Sequence, residues 1–117
     1  MKRFKINDSK WITSQGYRKA KFATEDDLKQ KGTLVQIVEI APGDTVAQHY
    51  HKNSFEYLYV ISGACDFEIN GESVPLKEGD MLLTEPGDKH SVHNRGEIPF
   101  RVLVFKTNAI PDDTYWS

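Results

Sequence analysis

The chain has 117 residues, 38% of them hydrophobic and 27% charged, which is the composition of a folded globular protein and not of a disordered or fibrous one. Fifteen lysines and arginines against seventeen acidic residues give a net charge of −2, which argues against nucleic acid as a partner. A single cysteine, Cys65, excludes an internal disulfide framework and a four-thiolate zinc site.

The beginning of the sequence carries no targeting signal. The first three residues include two basic ones, but polar residues interrupt the segment 4–8 that follows. A secretory peptide has an unbroken apolar stretch at this place. The longest apolar run, residues 57–61, is far too short to span a bilayer. We therefore expect a cytoplasmic protein with no membrane partner.

Residues 24–32 are the clearest candidate for a helix. They combine a possible cap, early acidic residues, late basic residues and a terminal glycine. The segment is short, so a turn that connects two strands is an equal alternative.

Short strands are predicted through the rest of the chain. β-branched or alternating residues indicate them over 34–40, 55–61, 65–69, 73–76, 81–84 and 100–106. Turn residues separate them, and Asn70-Gly71 is the strongest hairpin signal. This spacing predicts an all-β barrel or sandwich, which we interpret as a small antiparallel barrel.

Two histidines separated by one residue, in His49-Tyr50-His51, are the first chemical signal. On a strand, residues two apart point to one face about 7 Å apart, so both imidazoles can reach one metal ion. Glu56 follows after a short turn, and an antiparallel neighbour could bring its carboxylate to the same ion. Solvent-facing strand histidines are the alternative.

Glycines, histidines and a glutamate recur at fixed spacings in two segments of the chain. The first segment contains Gly43, His49, His51, Glu56 and Gly63. The second contains Gly79, Pro86-Gly87, His90 and Asn94. In both segments the chain resembles the signature motifs of the cupin superfamily. Glu85 stands where the family usually has proline, which affects the shape of the loop and not the metal site.

This resemblance implies a single-domain cupin barrel, an antiparallel double-stranded β-helix or jelly roll, over residues 33–107. Residues 1–32 would then be N-terminal strands and a turn that pack on the barrel. Residues 108–117 would form a C-terminal tail, and its two aromatic residues predict docking against the barrel or a partner.

The resemblance also implies the ligands of one divalent transition metal ion: His49, His51, Glu56 and His90. Three imidazoles and a carboxylate suit Fe, Mn, Ni, Cu, Co or Zn, so the residues do not decide the metal. In a six-coordinate site these four ligands would leave two positions for water, dioxygen or substrate.

Family members with this ligand set include dioxygenases, decarboxylases and isomerases. The resemblance therefore implies a metalloenzyme of one of these types that acts on a small oxygenated molecule. A metal-dependent module that binds or senses a small molecule, a sugar or carboxylate, without turnover is the alternative. No catalytic residue is assigned, and the general base is unassigned too, although a metal-bound hydroxide or Glu85 could serve. A loose likeness to phosphomannose-isomerase-type domains offers only Lys89 and Arg95 as phosphate-binding candidates.

Five further residues have less specific roles. His93 should point away from His90, as a surface or loop histidine, and Asn94 should fix a loop. Cys65 is expected to be a small buried residue, with a cavity-lining thiol as the alternative. Gln36 and Arg101 could face inward and orient a substrate, but we expect both to be solvated.

An apolar outer face is predicted on residues 55–61. If Glu56 faces inward, Tyr57, Tyr59 and Ile61 face outward, where they suggest a partner surface. Cupins commonly dimerise by packing sheets, so we expect a homodimer. Coverage of this face by residues 1–32 is the alternative.

Overall fold

The computed structural model describes residues 1–6 and 10–117. Residues 7–9, part of the predicted N-terminal segment and of its polar interruption, lie outside the described residues. The described chain forms eleven strands and one helical turn, α1 (Glu25–Leu28). The strands are β1 (Trp11–Thr13), β2 (Arg18–Ala23), β3 (Leu34–Ile40), β4 (Thr45–His51), β5 (Phe55–Ser62), β6 (Ala64–Ile69), β7 (Glu72–Lys77), β8 (Met81–Thr84), β9 (His90–His93), β10 (Phe100–Thr107) and β11 (Thr114–Trp116).

These strands make two antiparallel sheets. Within the described residues, one sheet has the order β1-β2-β3-β10-β5-β8 and the other the order β11-β4-β9-β6-β7. Their inner faces meet in a core that contains the fully buried Val60, Phe67, Phe100, Val102 and Val104. Among the described strands, six of the nine neighbouring pairs in these sheets are not consecutive in the chain, as in a double-stranded β-helix. The predicted all-β jelly roll is confirmed.

The segment predicted as a helix or a turn is a single helical turn. The Asp27 carboxylate accepts a hydrogen bond from the Thr24 backbone N–H at 3.0 Å, which caps the start of α1. Lys29 ends the helix in the left-handed region, with φ of 56°. In residues 1–6 and 10–117 no helix has the length and apolar character needed to cross a membrane.

Arg101 lies on the outer face of the six-stranded sheet and not in the interior. It and Arg18 approach opposite oxygens of the buried Glu39 carboxylate, at 2.5 and 2.7 Å. Burial by itself raises the pKa of Glu39, but the two guanidinium groups outweigh it and lower that pKa. Arg101 therefore joins strands β2, β3 and β10 and has no place in the cavity.

The outer face of β5 and β8 is apolar and exposed. Tyr59 is 47% exposed, Ile61 38%, Met81 63% and Leu83 40%, and we call these four residues the β5/β8 patch. The segment 1–32 contributes β1 and β2, which extend the other edge of the same sheet beyond β3. Coverage of this patch by N-terminal residues is thus not seen in the described part of the chain.

Candidate metal centre

Four predicted site residues converge inside the barrel from both sheets. His49 and His51 lie on β4, and His90 begins β9, where it pairs with His49 across the ladder. Glu56 lies near the start of β5, which belongs to the opposite sheet. The carboxylate therefore reaches the histidines across the barrel interior and not from a strand paired with β4.

The side-chain atoms of these residues are close enough to share one ion. The candidate ligand atoms of His49, His51 and His90 all lie within 4.8 Å of one another. Glu56 Oε1 is 2.5 Å from His51 Nε2 and 3.7 Å from His90 Nε2. His51, His90 and Glu56 are buried, and His49 is partly buried.

Each imidazole is oriented by a backbone carbonyl that accepts a hydrogen bond from its Nδ1. The carbonyls belong to Ala47 for His49 (2.8 Å), Asp113 for His51 (3.1 Å) and Asp88 for His90 (2.9 Å). A carbonyl can only accept, so each Nδ1 carries a proton, and a neutral ring in this tautomer has a lone pair on Nε2. This is the arrangement that orients histidine ligands in metal sites.

The contact between His51 and Glu56 tests whether a cation fits. His51 Nε2 is buried and has no hydrogen-bond partner among the described residues, although Glu56 Oε1 lies only 2.5 Å away. With its proton on Nδ1, the ring presents a lone pair to a carboxylate oxygen. Two acceptors at this distance repel unless a cation or an added proton lies beside them. The donor set therefore fits a metal ion.

Burial sets the charge states at the site. It lowers the pKa of His49 to about 4, helped by the proximity of His90, and burial also lowers the pKa of His90. Burial alone would raise the pKa of Glu56, but a proton on His51 Nε2 that bonds to the carboxylate, together with the charge of Lys106, outweighs it and lowers that pKa to about 2. At neutral pH, the neutral imidazoles of His49 and His90 thus lie beside an ionised carboxylate.

The histidines and Glu56 form part of the wall of a cavity of about 100 Å³ between the two sheets. Apolar residues such as Leu58, Phe67 and Val102 form much of its remaining wall. The volume admits a molecule of a few heavy atoms. The apolar walls favour exclusion of bulk water from the space in front of the candidate ligands.

The C-terminal tail docks on the barrel, one of the two outcomes predicted for it. Strand β11 pairs with β4 so that Thr114 lies opposite His51 and Trp116 opposite His49. The Trp116 and His49 ring centroids are 5.0 Å apart, and Thr114 and Trp116 line the cavity. The tail is therefore one wall of the site.

Asp113 attaches this tail to the turn between β4 and β5. Its carboxylate accepts hydrogen bonds from the backbone N–H groups of Lys52, Asn53 and Ser54 and from the Asn53 amide, at 3.0 to 3.1 Å. Its carbonyl accepts the bond from His51 Nδ1. The tail and the orientation of His51 are thus coupled, which no sequence signal indicated.

The expectation that Gln36 is solvated is wrong. Gln36 is only 4% exposed and lines the cavity. Its partners in register, Val104 on β10 and Lys21 on β2, place it on the inner face of the six-stranded sheet. The sequence left open which phase of β3 faces inward, and the structure settles it.

Other candidates lie away from the cavity. Cys65 is buried, as expected, and burial raises the pKa of its thiol to about 12, which makes it unreactive. In the described chain neither Cys65 nor the exposed Glu85 lines the cavity. Lys89 and Arg95 do not line it either: Lys89 lies over Tyr50, and Arg95 pairs with Asp66. The lysines that line the cavity are Lys19 and Lys106, which sequence reasoning missed.

His93 and Asn94 have the positions predicted for them. His93 bonds to Thr45 on β4, away from the three clustered histidines. Asn94 is fully buried, and its amide donates to the carbonyls of Ile40 and Ile98 and accepts from the Gly96 N–H. Asn94 therefore fixes the loop before β10.

A family model described as "Cupin domain" matches residues 36–106, which is more than half of the chain. The chain belongs to the cupin family. This match runs from within β3 to within β10 and includes all four candidate ligands. It confirms the resemblance that the two motifs indicated.

Two curated relatives differ in how much of this cupin they match. The tetracenomycin polyketide synthase protein TcmJ of Streptomyces glaucescens is 42% identical over 56% of this chain and 44% of its own length. An oxalate-binding protein of Thermotoga maritima is 32% identical over 73% of this chain and 70% of its own. The chain thus spans less than half of TcmJ.

Solved structures agree on the fold. A predicted oxalate decarboxylase from Thermotoga maritima superposes with a TM-score of 0.81 at 23% identity, covering 92% of this chain and 99% of that one. KdgF from a Halomonas species superposes with a TM-score of 0.81 at 19% identity, covering 96% and 97%. Likeness at this level of identity shows a shared barrel only.

Proposed function

We propose that this cupin is a metalloenzyme that holds one divalent transition metal ion at His49, His51, Glu56 and His90 and acts on a small oxygenated molecule. The observation that supports it is the pair of facing acceptors, His51 Nε2 and Glu56 Oε1, 2.5 Å apart in a buried cavity. The two other histidines have Nδ1 bonded in the same way, so their Nε2 atoms are available to the same ion.

The chain's own residues would prepare the reaction. When bound, the ion would act as a Lewis acid toward a substrate oxygen or hold substrate and dioxygen together. The three carbonyl-anchored imidazoles fix the position of the ligand atoms before substrate arrives. The cavity accommodates a group of a few heavy atoms beside the candidate ligands, which suits dioxygenase, decarboxylase or isomerase chemistry on a small carboxylate or sugar fragment.

Binding without turnover is the second candidate function. Among the described residues that line the cavity, Glu56 is the only carboxylate, and the proposed ion would occupy it. No other lining carboxylate is then left to act as a general base. The relative from Thermotoga maritima is named as an oxalate-binding protein, which also favours a binding role.

Turnover distinguishes the two functions. We expect the metal-loaded protein to convert at least one member of a panel of small hydroxy acids, keto acids, dicarboxylates and sugars. Oxygen uptake is measured directly, and product formation is followed by NMR. A His49→Ala/His90→Ala variant should give the background rate. Saturable binding with no product from any member would support the binding module and contradict the enzyme.

We also propose that the protein is a cytoplasmic homodimer whose interface includes the β5/β8 patch. Its exposed side chains are contiguous because Tyr59 pairs with Met81 across the ladder. The variant Met81→Lys should lower the molar mass in light scattering from two chains to one, because a buried lysine charge opposes association. Leu28→Lys, at an exposed apolar residue on α1, is the matched control. A monomeric wild-type protein would contradict the dimer.

A further inference from the structure

Two lysines and a glutamine lie in a row beside the candidate metal centre, outside the proposed ligand set. Lys19 on β2, Gln36 on β3 and Lys106 on β10 all line the cavity, and we call them the Lys–Gln row. In the strand register, Gln36 is a diagonal neighbour of Lys19 on β2 and of Lys106 on β10. Diagonal neighbours in an antiparallel sheet lie about 8 Å apart, so each lysine is about this far from Gln36. Lys106 lies directly opposite Glu56 on β5, so the row continues into the metal centre.

Gln36 lacks a hydrogen bond that its burial demands. The residue is 4% exposed, and its Oε1 has no hydrogen-bond donor within the described part of the chain. A buried amide oxygen without a donor destabilises the folded state, because it has lost its hydrogen bonds to water. Because Gln36 lines the cavity, a hydroxyl group of a ligand in that cavity is placed to supply the missing donor.

The charges around the cavity favour an anion. Lys19 and Lys106 bring two positive charges against the single negative charge of Glu56. Lys106 is largely buried, with its side chain 19% exposed and its Nζ 3.9 Å from Glu56 Oε2. A divalent ion at the histidines would add to this excess, and positive charge in a largely apolar enclosure is costly unless an anion balances it.

We propose that the Lys–Gln row recognises a small hydroxylated carboxylate, with Lys106 and Lys19 balancing its charge and Gln36 Oε1 accepting a hydrogen bond from its hydroxyl. This inference rests on the proposed function, because it names the class of molecule that the same cavity takes. The cavity of about 100 Å³ is large enough for a short hydroxy acid.

Three small probes distinguish the two groups that the Lys–Gln row would bind, the carboxylate and the hydroxyl of the ligand. Glycolate carries both a carboxylate and a hydroxyl, acetate lacks the hydroxyl, and ethylene glycol lacks the charge. Dissociation constants are measured by calorimetry at constant ionic strength on metal-loaded protein, with metal content determined on the same samples. We expect glycolate to bind about five- to tenfold more tightly than acetate, and ethylene glycol not measurably.

Variants then assign each preference to a residue. Lys106→Gln should weaken glycolate and acetate alike by about tenfold or more, and Lys19→Gln should weaken both by a smaller factor. Gln36→Met, which keeps the length of the side chain, should remove only the preference for glycolate over acetate. Lys77→Gln, which removes the same charge from an exposed lysine on β7, should change neither constant.

Several results would overturn the inference. Equal weakening by Lys77→Gln and Lys106→Gln would make the effect one of net charge. An unchanged glycolate preference in Gln36→Met would assign that preference to metal chelation, and no binding of glycolate by the wild type would remove the subsite. A wild type that takes up no metal would contradict the proposed function and not this inference. Titration of glycolate into the metal-free wild type and the metal-free Lys106→Gln variant would then still test the role of Lys106.

Discussion

Reconstituted wild-type protein should contain about one transition metal ion per chain, and the His49→Ala/His90→Ala double variant less than about a tenth of that. The physical reason is the number of remaining donors. After the double substitution only His51 and Glu56 remain of the proposed set, and two ligands hold a divalent ion far more weakly than four. Metal content by mass spectrometry after dialysis is the measurement, with circular dichroism to show that both proteins are folded.

The matched control is His93→Ala. It removes an imidazole from β9 three residues from His90, but this side chain bonds to Thr45 and lies outside the histidine cluster. It should retain the full metal content. Iron or copper in the wild type would direct assays toward oxygen consumption, and zinc or manganese toward isomerisation or hydrolysis. A folded wild type that takes up no metal would contradict the ligand assignment and favour a metal-free binding barrel.

Much of the barrel is predictable because its central strands are strongly patterned. The strands predicted over 34–40 and 81–84 have those bounds, and the other four are longer by one residue at one or both ends. Strand β2 (Arg18–Ala23) was not delimited because its lysines and arginine obscure the alternation. Strand β11 is only three residues long and is held by pairing with β4, which no local pattern reveals.

The proposed ligands were predictable from spacing, but the rest of the cavity was not. His49 and His51 are two apart on one strand, a local relation, and the motif resemblance supplied Glu56 and His90. Lys106 and Lys19 reach the cavity only through the register of β10 and β2 against β3, which involves long-range pairing. A lysine in an amphipathic strand normally faces solvent, so its inward phase here has no sequence signal.

These differences have one physical origin. Short-range geometry determines which side chains share a strand face, and this alternation can be predicted from the sequence. Pairing between distant strands determines which faces meet, and it depends on the packing of the whole core. The site combines both, since His49 and His51 come from local spacing while His90, the Lys–Gln row and the C-terminal wall come from tertiary pairing.

The C-terminal tail gives the second large effect, and Asp113→Asn isolates it. An asparagine has the shape of aspartate but no charge and only one acceptor oxygen for the four hydrogen bonds that the carboxylate accepts. We expect the free energy of unfolding to fall by about 1–3 kcal/mol. We also expect metal affinity to fall by about 10- to 100-fold, because the Asp113 carbonyl that orients His51 is less firmly held.

Urea unfolding and competition with a chelator measure the two effects, and Asp112→Asn is the control. Asp112 is exposed with φ of 55°, a conformation that asparagine adopts readily, so this neighbour should change neither quantity. Burial alone would raise the pKa of Asp113, but its hydrogen bonds outweigh that effect and lower it. The stabilisation is therefore present above the unfolded pKa and lost as pH falls through the folded one, and Asp113→Asn should lack this acid-dependent loss. Unchanged metal affinity in Asp113→Asn would show that the tail does not position His51.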